Sequence, residues 1–275
     1  GLNNRPRHRI QQYDYRSTVF CDEWTVFPGN RSNGPNRLRI ETLDFYPLLL
    51  PQIQNTAVNF LKPQFLKLGK GGAYFKPQYI NLFGNNISVD DFPTLIGAKD
   101  ANIQFTTWNI DKWNGRLDIG KYVLITPGVR IMAADQITIG DACMFAHGAY
   151  ISDADWHGIY DRSEPVGATK PVVLEDNVWI GDSAIVCKGV RIGKNSIIGA
   201  GAVVTKDVPP NSVFAGNPAK LVKELDPNED HISRKDFFKD PKKLAADFDA
   251  LDKYSLGDNS LIGWIQSIFW PDNKN

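Results

Sequence analysis

From Leu174 onward a large aliphatic residue returns every six positions, at Ile180, Val186, Ile192, Ile198 and Val204. Two residues before each stands a smaller or β-branched partner: Val172, Val178, Ala184, Val190, Ser196 and Ala202. The same pattern runs upstream through Ile119, Ile125, Ile131, Ile139, Phe145 and Ile151, preceded by Leu117, Val123, Val129, Ile137, Cys143 and Ala149. A period of six excludes an amphipathic helix, because at 3.6 residues per turn it gathers the apolar residues on no single face. Each hexad reads instead as one short strand and one corner. Such a unit cannot bury its own apolar face, so units must stack into a solenoid whose coils cover one another. Glycine follows the aliphatic residue at Gly120, Gly140, Gly181, Gly193 and Gly199. A turn with unusual φ at those places would favour a residue without Cβ. The step from Ile131 to Ile139 is eight, so two residues bulge at one corner.

The flanks follow no such period. Residues 1–84 mix aromatics and prolines with a GKGG turn at Gly69 to Gly72 and are read as an N-terminal extension. Residues 85–225 form the solenoid domain, with irregular early coils before 117 and an end at the prolines of TKDVPPNSVFAGNPAK. Residues 226–275 form a C-terminal helical tail. A helix is expected from Asp240-Pro241, a capping residue before proline at the first helical position, with Leu244, Phe248 and Leu251 on one face. The segment Asp258 to Trp270, DNSLIGWIQSIFW, is expected to be helical, docking on its own assembly or touching a membrane surface.

Charge and cysteine usage exclude some partners. The 31 Lys and Arg balance 31 Asp and Glu, so no overall field recruits nucleic acid. Three cysteines, Cys21, Cys143 and Cys187, are odd in number and widely spaced, which suits a reducing compartment better than a disulfide framework. Apolar runs such as Leu48-Leu49-Leu50 fall far short of the ~20 residues that span a bilayer. The expected location is cytoplasmic, with peripheral contact at the inner membrane surface as the alternative that the C-terminal tail offers. The chain opens on Gly1 rather than on a signal pattern, so function cannot be read from that end.

Between Ile151 and Leu174 the step is 23 residues, 17 more than the period allows, so a long loop leaves the solenoid there. Unstructured loops longer than about 12 to 15 residues are uncommon and often functional. This one reads ISDADWHGIYDR at its start and holds Asp153, Asp155, Trp156, His157, Asp161 and Arg162. By itself a loop histidine is most simply a solvated side chain.

The stretch ISDADWHG, followed by KPVVLEDNVWIGDSAIVCKGVRIGKNSIIGAGAVVTKDVPPNSVFAGNPAK, resembles the hexapeptide-repeat, or isoleucine-patch, acyltransferases. Within that family it looks like the branch that includes maltose and galactoside O-acetyltransferases and surface-polysaccharide acetyltransferases. The resemblance implies a mainly β chain folded as a left-handed parallel β-helix, three hexads to a coil, so that the twelve upstream and downstream positions make about four coils. It also implies a homotrimer, with acyl-CoA, most simply acetyl-CoA, in a groove between subunits, a sugar or glycan acceptor and no metal. His157 takes the place of the family's general base. Imidazole suits that work because its reference pKa, about 6.5, lies near neutral pH. A base needs an orienting partner on its other nitrogen, and Asp155 or Asp161 could supply it, with Asp155 slightly preferred. The loop is longer than in the maltose and galactoside enzymes.

The resemblance places Trp179, Asp182, Ala200, Gly201, Thr205, Lys206 and Lys220 against the cofactor's adenine, pantetheine or phosphates. Lysines meet phosphate as point charges. Flat or small residues such as Trp179, Ala200 and Gly201 also simply suit coil packing. On the acceptor side stand Asp161, Arg162, His147, which lines the same groove or is merely exposed, and Thr126, where the galactoside enzymes carry a sugar-contacting asparagine. Cys143 and Cys187 read as structural, so no acyl-enzyme is expected. Two other classes compete. A γ-carbonic-anhydrase-like zinc enzyme would need three protein ligands, but only His147 and His157 lie in or beside the repeat. A non-catalytic assembly module would leave the His157 loop without purpose.

Overall fold

The computed structural model describes residues 57–110 and 112–240, and three strands make each turn of a triangular solenoid. The first coil is β1 (Lys67–Leu68), β2 (Ala73–Phe75) and β3 (Ile80–Phe83), and the second is β4 (Ile87–Val89), β5 (Thr94–Ile96) and β6 (Ile103–Thr107). Next come β7 (Arg116–Ile119), β8 (Leu124–Ile125) and β9 (Arg130–Ala133), then β10 (Gln136–Ile139), β11 (Met144–Phe145) and β12 (Tyr150–Ser152). The last two coils are β13 (Val172–Leu174), β14 (Trp179–Ile180), β15 (Ile185–Val186), and β16 (Arg191–Ile192), β17 (Ile197–Ile198), β18 (Val203–Val204). Every third strand joins the same parallel sheet, giving three faces.

The hexad period is realised as pairing register. Val89, Ile119, Ile139, Leu174 and Ile192 are direct cross-strand partners on the first face. Leu95, Ile125, Phe145, Ile180 and Ile198 stack on the second, and Phe105, Ile131, Ile151, Val186 and Val204 on the third. All fifteen are essentially removed from solvent. Each contributes on the order of 1.5–3 kcal/mol relative to exposure, and the three ladders form the core together with the buried residues two positions before them, such as Leu117, Val123 and Val129.

Coils begin at Lys67, earlier than the boundary at 85, and the GKGG stretch forms the first turn between β1 and β2. The coils before Leu117 escape the period because their corners vary in length while their strands keep register, as in Leu95↔Ile125 and Phe105↔Ile131. The prolines do not end the repeat either. Beyond Pro209 and Pro210, β19 (Ser212–Ala215) continues the second face in parallel with β17, and β20 (Lys220–Glu224) closes it antiparallel.

The glycine expectation needs a correction. None of Gly120, Gly140, Gly181, Gly193 and Gly199 has positive φ. They are small because the next coil passes over them. A Cβ on Gly140 would lie 2.7 Å from the Glu175 carbonyl carbon, and one on Gly193 would lie 2.3 Å from Pro210 N. Positive φ falls two residues later, at Tyr122 (60°), Ala142 (59°), Ser183 (55°), Asn195 (62°) and Gly201 (66°). Asparagine tolerates this region better than most side chains.

After β20 the chain returns along the corner between the first and second faces. Ser233 caps a turn of helix, Arg234–Phe237, and Arg234 donates to the Tyr122 carbonyl (3.0 Å) and to Thr94 Oγ1 (2.9 Å). Phe238 packs on the stacked rings of Phe92 and Tyr122. The helix expected from Asp240-Pro241 and the apolar segment 258–270 lie outside the described residues, as does Cys21. Among the described residues no helix is long and apolar enough to cross a membrane.

Candidate active site

Each coil turns three corners, and the sequence-predicted site residues divide between two of them. The second corner joins the second and third faces. Thr126, His147, Asp182, Ala200 and Gly201 rise along it as one column, tied coil to coil by backbone bonds from Ser183 N–H to the His147 carbonyl (2.8 Å) and from Gly201 N–H to the Asp182 carbonyl (2.7 Å). His147, Asp182 and Ala200 are exposed, as is Gly201, whose positive φ favours a residue without Cβ. Thr126 Oγ1 donates to the Phe145 carbonyl (2.9 Å), so its proton is committed to the coil and its oxygen can only accept from a ligand. Trp179 stands half-buried on the second face beside this column, and Lys220 lies exposed on β20 at the end of that face.

The third corner joins the third face to the first, and the long loop leaves from it after β12. The eight-residue step seen in the sequence has a purpose here. The bulged residues Ala134 and Asp135 turn their N–H groups onto the carboxylate of Asp153, at 2.8 and 2.9 Å. Asp153 is wholly buried, and burial pushes its carboxyl up to about 6 against the opposing pull of those two N–H donors. Below it the loop closes as a short antiparallel neck: Lys170 N–H to the Asp153 carbonyl (2.8 Å), Asp155 N–H to the Ala168 carbonyl (2.9 Å), Gly167 N–H to the Asp155 carbonyl (2.7 Å). Trp156 donates its indole N–H to Tyr150 Oη (2.9 Å) and leans on Trp108, and Ala134, Ala154 and Val166 pack beneath them.

His157 follows, exposed, with its Nδ1 3.1 Å from the carbonyl oxygen of Glu164 across the loop. A carbonyl can only accept, so this bond requires the proton on Nδ1 and leaves the Nε2 lone pair of a neutral ring unused. Two glycines allow the crossing: a Cβ on Gly167 would lie 2.3 Å from the His157 carbonyl oxygen, and one on Gly158 2.3 Å from that of Asp161.

Neither expected carboxylate orients the ring. Asp155 instead pairs with Lys188 Nζ at 2.6 Å, and Asp161 accepts from Ser163 N–H (2.9 Å) and from its hydroxyl (2.5 Å) in a local turn. The partner that does meet His157 is a backbone carbonyl, which no sequence pattern announces. Asp153 and Lys188 were also not singled out as site residues, although the bulge at Ala134-Asp135 was a usable signal for the first. Arg162 is exposed on the same loop, beside the solvent-facing Ile159 and Tyr160. Thr205 and Lys206 are exposed on this same third corner, two coils beyond the loop. The predicted cofactor residues are therefore split, with Thr205 and Lys206 on the loop's corner and Asp182, Ala200 and Gly201 on the other.

Cys143 is buried in its inward slot with its thiol pushed up to about 12 by burial, and Cys187 sits at the third corner with its thiol also raised by burial. Such thiols carry little thiolate. Among the described residues no three His, Cys, Asp or Glu side chains gather as a metal site.

Residues 171–206 match the family model for the bacterial transferase hexapeptide (six repeats). A galactoside O-acetyltransferase of Escherichia coli (strain K12) is 33% identical over 127 residues, which are 46% of this chain and 62% of the relative, so the chain spans less than two thirds of that protein's length. A galactoside O-acetyltransferase of Lactococcus lactis is 30% identical over 189 residues, 66% of this chain and 77% of the relative. A looser structural likeness, with TM-score 0.44 and 24% identity over 64% of this chain and 78% of the other, joins it to a hexapeptide-repeat acetyltransferase of Vibrio cholerae solved with acetyl coenzyme A. Repeat model, parallel three-faced β-helix architecture and the Lactococcus relative agree: the chain belongs to the hexapeptide-repeat transferase family.

Proposed function

We propose that the chain is an acyl-CoA-dependent O-acyltransferase, with acetyl-CoA as donor, a sugar or cell-surface polysaccharide precursor as acceptor, and His157 as general base. The acceptor class is drawn from the names of the galactoside O-acetyltransferase relatives. The observation that carries the base is the His157 Nδ1 to Glu164 carbonyl bond, which leaves Nε2 as a free acceptor on an exposed ring.

The reaction is a direct transfer. Nε2 takes the proton of the acceptor hydroxyl as that oxygen attacks the thioester carbonyl carbon. The tetrahedral intermediate then collapses with cleavage of the carbon–sulfur bond, and the departing CoA sulfur takes the proton back from the imidazolium. No residue is acylated, in keeping with two described cysteines whose thiols are raised by burial. Lys206 and Lys220 meet cofactor phosphates, and Trp179, Asp182, Ala200, Gly201 and Thr205 contact the rest of it. Thr126, His147, Asp161 and Arg162 border the acceptor.

A homotrimer fits this reading because one chain spreads the proposed residues over two corners of a prism. A neighbouring copy that brings its second corner to this chain's third corner joins the loop to Asp182, Ala200 and Gly201 in one groove. Light scattering checks this: a trimer is expected, and a monomer at micromolar concentration sinks the shared groove.

His157→Ala tests the chemistry, with acceptors screened by thiol release from acetyl-CoA. The expected result is a kcat lower by roughly 10² to 10⁴, the usual contribution of a positioned acid–base group, with acetyl-CoA affinity nearly unchanged. Near-normal turnover with an accepted sugar removes His157 from the mechanism.

A further inference from the structure

The His157 loop is held from both sides along the solenoid axis, and the two holds differ in kind. On the side of the preceding coil, Asp153 is buried and takes two backbone N–H groups, a fixed clamp. On the side of the following coil, Gly189 N–H holds the foot of the return limb at the Lys170 carbonyl (2.9 Å), while the outgoing limb that carries His157 is tied by an ion pair, Lys188 Nζ to Asp155 Oδ1 at 2.6 Å, with both side chains about one third exposed (32% each). Lys188 belongs to the third corner of the coil after the loop, so its stem bridges the solenoid frame to the loop's neck.

Resting on the reading of His157 as the base, we infer that Lys188 is a positioning residue, fixing through Asp155 the height at which the loop presents the ring. Asp155 is suited to transmit this. Its backbone N–H and carbonyl are both engaged in the neck, at Ala168 and Gly167, so moving its side chain moves the strand that carries His157 two residues on. The Lys188 bond is the one polar contact its carboxylate makes among the described residues. Without it the outgoing limb keeps its root at Asp153 and the contacts of Trp156 with Tyr150 and Trp108, but loses its side-chain tie to the following coil and can tilt away from it. Glu164, the ring's acceptor, lies on the loop's return limb, so a tilt displaces ring and acceptor together relative to the coils. An ion pair this exposed adds little to global stability, so its removal should be read in the loop rather than in the melting temperature.

The full-length chain carrying Lys188→Met, which keeps the aliphatic stem and removes the charge, tests this beside Asp155→Asn and the exchanged pair Asp155→Lys/Lys188→Asp. Amide hydrogen exchange over the loop is followed without substrate, and turnover with acetyl-CoA and an accepted sugar is followed separately. Lys188→Met should exchange about tenfold faster between Ala154 and Ala168, because the local opening is no longer opposed. Its kcat should fall about tenfold, as small misplacements of a catalytic group do, with the acetyl-CoA KM within about twofold. Melting should shift by no more than about 2 °C, and the exchanged pair should regain most of the lost kcat.

Unchanged loop exchange overturns the inference. A raised acetyl-CoA KM at unchanged kcat also overturns it, making Lys188 a cofactor-phosphate ligand. So does a kcat loss that tracks a large fall in melting temperature and is not regained by the exchanged pair. If the loop loosens but His157→Ala turns over normally, the catalytic reading is what fails. If His157→Ala is dead and the loop is indifferent to Lys188, the inference alone fails.

Discussion

The first and third corners of the prism share the same coils and differ in almost everything else. The first corner repeats itself. Tyr122, Ala142, Asn177, Asn195 and Asn211 occupy equivalent left-handed positions on successive coils, and Asn177, Asn195 and Asn211 pass an amide bond from coil to coil at 3.0 and 2.8 Å. The third corner changes at each turn: an excursion through Trp108 and Gly115, a two-residue bulge, the His157 loop, then the Lys188 turn. A solenoid tolerates this because its ladders fix only the strands, while each corner has only its neighbours to satisfy. One edge can therefore serve stability and another chemistry without sharing residues.

That division is broken most directly by a methyl group placed at each edge. At the third corner, Gly167→Ala puts Cβ 2.3 Å from the His157 carbonyl oxygen, so the loop must shift where the base is attached. The expected loss in kcat is about 10²-fold, the scale of a 1 Å misplacement, with little change in melting. At the first corner, Gly140→Ala meets the Glu175–Asp176 backbone at 2.7 Å. It should cost about 1–3 kcal/mol of stability by overpacking while folded molecules keep wild-type kcat. Thermal melts and single-variant kinetics read both. A Gly140→Ala protein that melts normally but loses turnover would show that the corners are coupled.

The smallest effect concerns the clamp between loop and frame. Asp153 is raised from its ordinary value of 3.8 to about 6 by burial. A carboxyl that is raised on folding binds its proton more tightly in the native state, so the contribution of Asp153 to stability is greatest below about pH 4 and declines as pH rises through about 6, flattening above. Asp153→Asn lacks this slope. The stability difference between wild type and variant should therefore shrink from pH 4 to pH 6 when both are unfolded in denaturant. A difference that grows over that range would mean that the Ala134 and Asp135 N–H groups hold the carboxylate better than burial opposes it.

The sequence by itself determined the ladders, because a strand pair buries its apolar face only when like positions recur at the coil's own spacing, and six-residue spacing from Leu117 to Val204 leaves one way to do so. It also isolated the loop, since 17 surplus residues cannot stay inside a hexad. It determined less where corners vary, and the coils before Leu117 were hidden for that reason. The glycines were legible as sites of constraint but not as the kind of constraint, because close approach and positive φ ask for the same residue. Only the tertiary structure decided which groups meet across the third corner. Glu164 reaches His157 through a backbone carbonyl that every residue possesses, and Asp155 finds Lys188 at 33 residues' separation rather than the histidine two residues away. Both contacts depend on where the loop's two limbs and the next coil come together in space, and that juxtaposition leaves no periodic mark in the chain.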